Sequence, residues 1–163
     1  MLPLPKTNQI QEIVHLAPEV IESRGVANLR NTIVAGNTAD APALPDFAGA
    51  VAAGSAYNLI GNGQGITGIS NGDANQNQVG VDPKPEPTLA LNGGTTPTHA
   101  LLFGSPALDK GNSFGLTKDQ RGFARPVDLP SVPNGSGDFA DIGAFEAQTA
   151  PAAPTAATVS VSG

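Results

Sequence analysis

The sequence predicts an all-β fold of many short strands, and three observations predict it. Hydrophobic residues make up 39% of the 163 and charged residues only 13%, a balance too apolar for wholesale disorder. Gly (20) and Pro (15) are plentiful and aromatics make up only 4%, so the chain punctuates itself with turns and packs small side chains. Short apolar steps end in Gly-Asn or Asn-Gly pairs, as at Gly36-Asn37, Gly61-Asn62-Gly63 and Asn71-Gly72. These recur roughly every two dozen residues, near the length of one β-helix coil. Asn-Gly also makes two-residue hairpins, so a small antiparallel sandwich explains the local pattern nearly as well.

Residues 1–24 differ from the rest. Ile10, Ile13, Val14 and Ala17 recur at helical spacing behind the capping residues Thr7 and Asn8, and Pro18 interrupts the run. The spacing predicts a short amphipathic helix over 8–16 that caps whatever follows. Residues 31–36 alternate about Ile33 and stop at Gly36, which predicts a strand. Further strand signals lie at 47–51, around Leu59 and Ile60, and at Ile66 to Ile69. Pro83, Pro85 and Pro87 favour an extended segment. A long loop is expected over 111–138, then a last strand over 141–146. Leu29, Ile33, Leu59, Ile60, Leu101, Phe103, Leu108, Ile142 and Phe145 are the expected core. Beyond Gln148 the composition falls to Ala, Pro, Thr, Val and Ser, a linker whose residues 158–162 alternate like an edge-seeking strand. The expected organisation is therefore a cap or divergent segment over 1–24, a β-domain over 25–148 and a linker tail over 149–163.

Charge and composition narrow the function. The net charge is −6, and the eight Lys and Arg are scattered, so nucleic acid is not an expected partner. There is no Cys, which removes disulfides, thiolate metal sites and thiol nucleophiles. No apolar run approaches a membrane span, and the first twenty residues do not read as a signal peptide. An exported protein would then carry its leader outside this sequence.

Five phrases occur in order: NTIVAGN (31–37), NLIGNGQG (58–65), VDPKPEPTLALNGGTTPTHALLFGSPALDKG (81–111), DQRGFARP (119–126) and DIGAFE (141–146). Together they resemble the C-terminal region of bacterial right-handed parallel β-helix surface proteins, the choice-of-anchor Q domain group. GSPALDKG, RGFARP and DIGAFE also look like the closing signature of many parallel β-helix proteins that act on polysaccharides. The match spans about 26–148. The resemblance implies a right-handed parallel β-helix, of which this chain would hold the C-terminal coils and closing loop. It also implies a secreted or cell-surface location. Members usually carry more coils upstream, and residues 1–24 do not read as a coil, which makes them the expected substitute cap.

The charges that stand out are Asp109, Asp119, Arg121, Arg125, Asp141 and Glu146. A catalytic or ligand cluster is one reading. The favoured reading is structural: carboxylates and guanidinia pin the long loop by hydrogen bonds to backbone. Asp73, Asn75, Asn77 and Asp82 offer oxygens at alternating spacing and form a candidate calcium site. An EF-hand loop opening at Asp73 is excluded, because Gln78 stands where glycine is required and Lys84 where glutamate is required. Apart from calcium, no cofactor is indicated. His15 and His99 are the only histidines, and no Ser-His-Asp arrangement can be assembled from the spacing.

The expected function is a non-enzymatic extracellular or cell-surface structural or adhesion module. Its expected partners are glycans, or further copies through the solenoid end or the tail. The alternative is a fragment of a carbohydrate-active β-helix protein, a polysaccharide lyase or glycosidase, which needs paired carboxylates or a cation with a basic residue.

Overall fold

The computed structural model describes residues 25–37 and 45–154. Six short strands occur there: β1 (Val26–Ala27), β2 (Ile33–Val34), β3 (Gly49–Val51), β4 (Leu59–Ile60), β5 (Ile66–Thr67) and β6 (Gln78–Val79). They form two three-stranded sheets, ordered β1-β3-β5 and β2-β4-β6, and all four strand pairings are parallel.

Register explains why these residues become strands. Val34, Ile60 and Val79 stack across one sheet, as do Ile33, Leu59 and Gln78. Adjacent residues point to opposite faces, so one face of β2-β4-β6 is apolar throughout, the other is apolar up to Gln78, whose Nε2 donates to Pro106 O, and both are covered. On one side Val34 and Ile60 meet Val51 and Ile69, with Phe47 and Ile66 at the margin. On the other, Ile33 and Leu59 pack with Leu101, Leu108, Leu129 and Ile142. The second cluster joins the strand half of the chain to its irregular half.

One residue upstream of the stacked apolar pairs runs a buried polar ladder. Asn58 Oδ1 accepts from Thr32 N at 3.1 Å, and Asn77 Oδ1 accepts from Asn58 N at 3.1 Å and Asn58 Nδ2 at 2.8 Å. Asn77 Nδ2 donates to Ser55 O and to the Asp73 carboxylate, both at 2.9 Å. Thr32, Asn58 and Asn77 are at most 1% exposed, and stacking amides turns a desolvation cost into a register lock. At Gly68, φ is +91° and a Cβ would lie 1.8 Å from Val51 O, so the turn after β5 requires glycine.

The structure corrects the expected parallel β-helix. The fold is all-β, but its strands are two or three residues long and form no closed solenoid among the described residues. No helix or parallel strand follows β6 there; the remaining bridges, Pro85 with Leu101, Ala90 with Thr98 and Lys118 with Ala124, are antiparallel. The physical reasons lie in the backbone. Pro83, Pro85 and Pro87 lack donors, and Lys84, Asn92, Asp109, Phe114 and Phe139 have positive φ, which interrupts strand geometry. The sandwich alternative fails as well, because the paired strands are parallel.

The last strand expected over 141–146 is irregular. Gly143 sits at φ +102°, and its N–H and C=O bond to Asn31 and Arg125 instead of to a ladder. Phe103, expected inside, is 55% exposed, while Leu29 and Phe145 are half-buried. The expected helix over 8–16 and the edge strand over 158–162 lie outside the described residues.

Replacing Asn58 by Ala removes the acceptor of Thr32 N and the partner of Asn77. The variant is expected to lose about 3 kcal/mol in urea unfolding, whereas exposed Gln64→Ala should stay within about 0.5 kcal/mol.

Candidate functional site

The 141–147 segment gathers the charges that the sequence singles out. Arg125 is the hub: its Nη1 donates to Gly143 O at 2.8 Å and its Nη2 to Asp141 O at 2.5 Å. Its Nε lies 3.6 Å from Glu146 Oε2, with both side chains fully buried. Glu146 Oε1 accepts from Val127 N at 2.7 Å and Oε2 from Asp141 N at 3.0 Å. Asp141 accepts from Asp109 N at 2.8 Å and Ala147 N at 2.7 Å. Asp109 Oδ2 accepts from Leu129 N at 3.1 Å, while its Oδ1 is buried without a hydrogen-bond partner.

Asp119 and Arg121 form the second half of the arrangement. Asp119 Oδ1 accepts from Arg121 N and Phe123 N, which folds 119–123 into a tight turn. Asp119 Oδ2 takes Arg121 Nη2 at 2.6 Å and Glu146 N at 3.1 Å. The Arg121 guanidinium lies 3.7 Å from the Phe145 ring centre and 4.7 Å from that of Phe123. It also donates to Asn92 O at 3.0 Å and Glu146 O at 2.5 Å. Arg121 thus joins the hairpin containing Asn92 to the last segment through cation–π contact and hydrogen bonds together.

Burial sets the electrostatics of this cluster. It pushes Asp141 up to about 7, against the N–H donors of Ala147 and Asp109. It pushes Glu146 up to about 8, with the Asp141 charge adding and Arg125 opposing. Asp109 is also raised, chiefly by burial. Burial lowers Arg125 from the ordinary guanidinium value, while Glu146 and Asp141 oppose that shift.

A cleft of about 680 Å³ opens beside the cluster. Ile33, Leu101, Ile142 and Phe145 line it, with His99 and Gln120 also contributing. Among the described residues no Asp, Glu, Lys or Arg lines it. His99 Nδ1 is 2.6 Å from Glu86 O, and that acceptor places the ring proton on Nδ1. Comparison with protein-family models, with curated proteins and with solved structures finds no match. The resemblance to choice-of-anchor Q proteins therefore rests on the sequence phrases alone.

Three of the four candidate calcium ligands share one turn. Asp73 Oδ1 accepts from Asn75 N at 3.0 Å and Asn77 N at 3.1 Å, and Oδ2 accepts from Ser70 N at 3.2 Å. Burial raises the Asp73 pKa, but the Asn77 amide and these backbone donors outweigh it and hold it below the ordinary value. Asn75 Nδ2 donates to Ala53 O, and the Asn77 oxygen serves the ladder. Asp82 Oδ1 accepts from Lys84 N. Among the described residues no group of three or more His, Cys, Asp or Glu could hold a metal ion.

Sequence reading passed over Asn31, Asp46 and Asp138. Asn31 Nδ2 donates to Asp141 O at 2.8 Å and its Oδ1 accepts from Asn112 N at 2.9 Å. Asp46 accepts from Asn37 N and Asn62 N, and Asp138 from Ser113 N and Oγ. Their signal was available only as isolated Asn and Asp beside turns.

Arg125→Ala should destabilise the chain by about 3–5 kcal/mol, since it strands buried carbonyls and a buried carboxylate. Arg125→Lys should recover only part of that loss, because an ammonium cannot fork to two carbonyls. Chemical denaturation of the variants, with exposed Gln64→Ala as reference, checks both.

Proposed function

We propose that the chain is a non-enzymatic, extracellular or cell-surface structural and adhesion module, with a neutral glycan as the partner of its cleft. The single observation that carries this reading is the separation of charge from cleft. The buried acids and Arg125 are spent on backbone groups, and the adjoining cleft has apolar walls and polar groups but, among the described residues, no ionisable acid pair. A glycosidase needs two carboxylates facing substrate across a groove, and a lyase needs a base beside a cation. A sugar ring offers an apolar face and hydroxyls, which suits aliphatic walls with His99 and Gln120 beside them.

Affinity electrophoresis through neutral polysaccharides, paired with depolymerisation assays with and without calcium, tests the reading. Wild type should be retarded and release no product. Leu89→Asp places a charge at an exposed cleft residue and should weaken retardation about tenfold, roughly 1.4 kcal/mol, without moving Tm. Sustained product release would replace the module by an enzyme, and unretarded migration in every glycan would remove the ligand.

A further inference from the structure

The closing cluster holds more buried acid than base. Asp109, Asp141 and Glu146 are fully buried, and Arg125 is 3% exposed. Asp119 is matched by Arg121 at 2.6 Å. Lys110 and Asp128 act on Asp109 from either side of charge, and Asp119 and Asp138 act on Arg125 besides its two carboxylate neighbours. The Lys110 ammonium itself donates to Pro133 O. Full ionisation would therefore set three interior carboxylates against one guanidinium, an imbalance that interiors relieve by retaining protons. Asp109 Oδ1, buried and without a partner, is a place for one.

The same segment fastens the two halves of the fold. Gly143 N donates to Asn31 O at 3.0 Å, and Asn31 Nδ2 donates to Asp141 O at 2.8 Å. These bonds hold 141–143 beside β2, and Ile142, Ala144 and Phe145 line the cleft.

We propose that residues 141–147 form a proton-held clasp. Asp109, Asp141 and Glu146 together keep at least one proton at neutral pH, and its loss as pH rises loosens the segment from β2 and from the cleft. This device is independent of what the cleft binds.

The sign follows from linkage. Asp141 is raised from 3.8 to about 7 and Glu146 from 4.5 to about 8. Between those limits the folded chain holds protons that the unfolded chain has released, so stability falls as pH rises. The group contributes fully below about pH 4, and its contribution is lost as pH passes through about 7 and then about 8. Asp73 acts oppositely, losing its contribution only as pH falls below the ordinary carboxylate range. The coupled trio titrates as a unit, so the proton belongs to the cluster and not to one residue.

Amide hydrogen exchange on the full chain tests this, with rates corrected for intrinsic pH dependence. Protection at Gly143 and Ala147 should fall about tenfold or more between pH 5.5 and 8.5, while Leu59 and Gln78 change less. Over the same range Tm should drop by about 5 °C or more. Asp109→Asn should lower the Asp141 midpoint and weaken both trends in part, and Asp82→Asn, an exposed charge removed elsewhere, should leave them intact. Should Asp109→Asn fail to fold, carboxyl carbon titration of wild type by NMR decides, with at least one midpoint in the trio expected above pH 6. Constant protection at Gly143 and Ala147, or three midpoints below pH 5, would overturn the clasp.

Discussion

The Arg125 guanidinium, forked onto the carbonyls of Asp141 and Gly143, is the interaction on which the irregular half depends. Those two residues are the ones that meet Asn31 at the start of the strand region. A guanidinium is suited to this position because it stays charged when buried and aims planar donors along fixed directions. An aliphatic residue of the same volume would fill the space and leave two buried carbonyls unanswered. The hub is therefore set by backbone demand, and the carboxylate of Glu146 serves it at 3.6 Å while bonding to Val127 N and Asp141 N.

That demand reflects how this half is built. A strand satisfies its backbone through neighbours, but residues 80–154 contain few bridges and many turns. Turn and loop bonds between backbone groups answer part of their N–H and C=O demand, and side chains answer much of the rest. Asp109, Asp119, Asp138, Asp141 and Glu146 each accept backbone N–H groups. Short acidic side chains suit this task, since each offers two oxygens within reach of consecutive amides. The result is a scaffold in which polar residues take the place of a ladder and the apolar cluster around Leu108 and Ile142 excludes water from them.

Much of this was legible at the level of pieces. Apolar steps before Gly and Asn marked Ile33, Leu59 and Ile60, and these do stack in parallel register. The acidic and basic residues of the closing phrases are the ones the structure buries together. Long-range closure was not legible, because a strand pattern of two residues carries no information about whether a solenoid continues. DIGAFE reads as alternating and therefore as strand, yet Gly143 at positive φ turns it into a bend. Phe103 reads as core from its neighbours Leu101 and Leu102, but it follows an apolar step whose buried member is Leu101, and it lies on the solvent side. The Asn ladder was visible only as Asn58 and Asn77 just before short strand steps, a pattern that Asn-rich turns share. Sequence phrases pointed to a family, and none of the comparisons returned one.

The bond from Asn31 to Asp141 spans 110 residues, whereas the Asn58 bonds to Asn77 and to Thr32 span 19 and 26. Loop-closure entropy grows with such separations, and non-local contacts slow folding. The two sheets can thus assemble early from neighbouring turns of chain, while the last fastening waits until residue 141 and those after it have left the ribosome. Until then β2 stands with its Asn31 side open, so an emerging chain passes through a half-closed state whose lifetime is set by the rate of synthesis and not by its own stability.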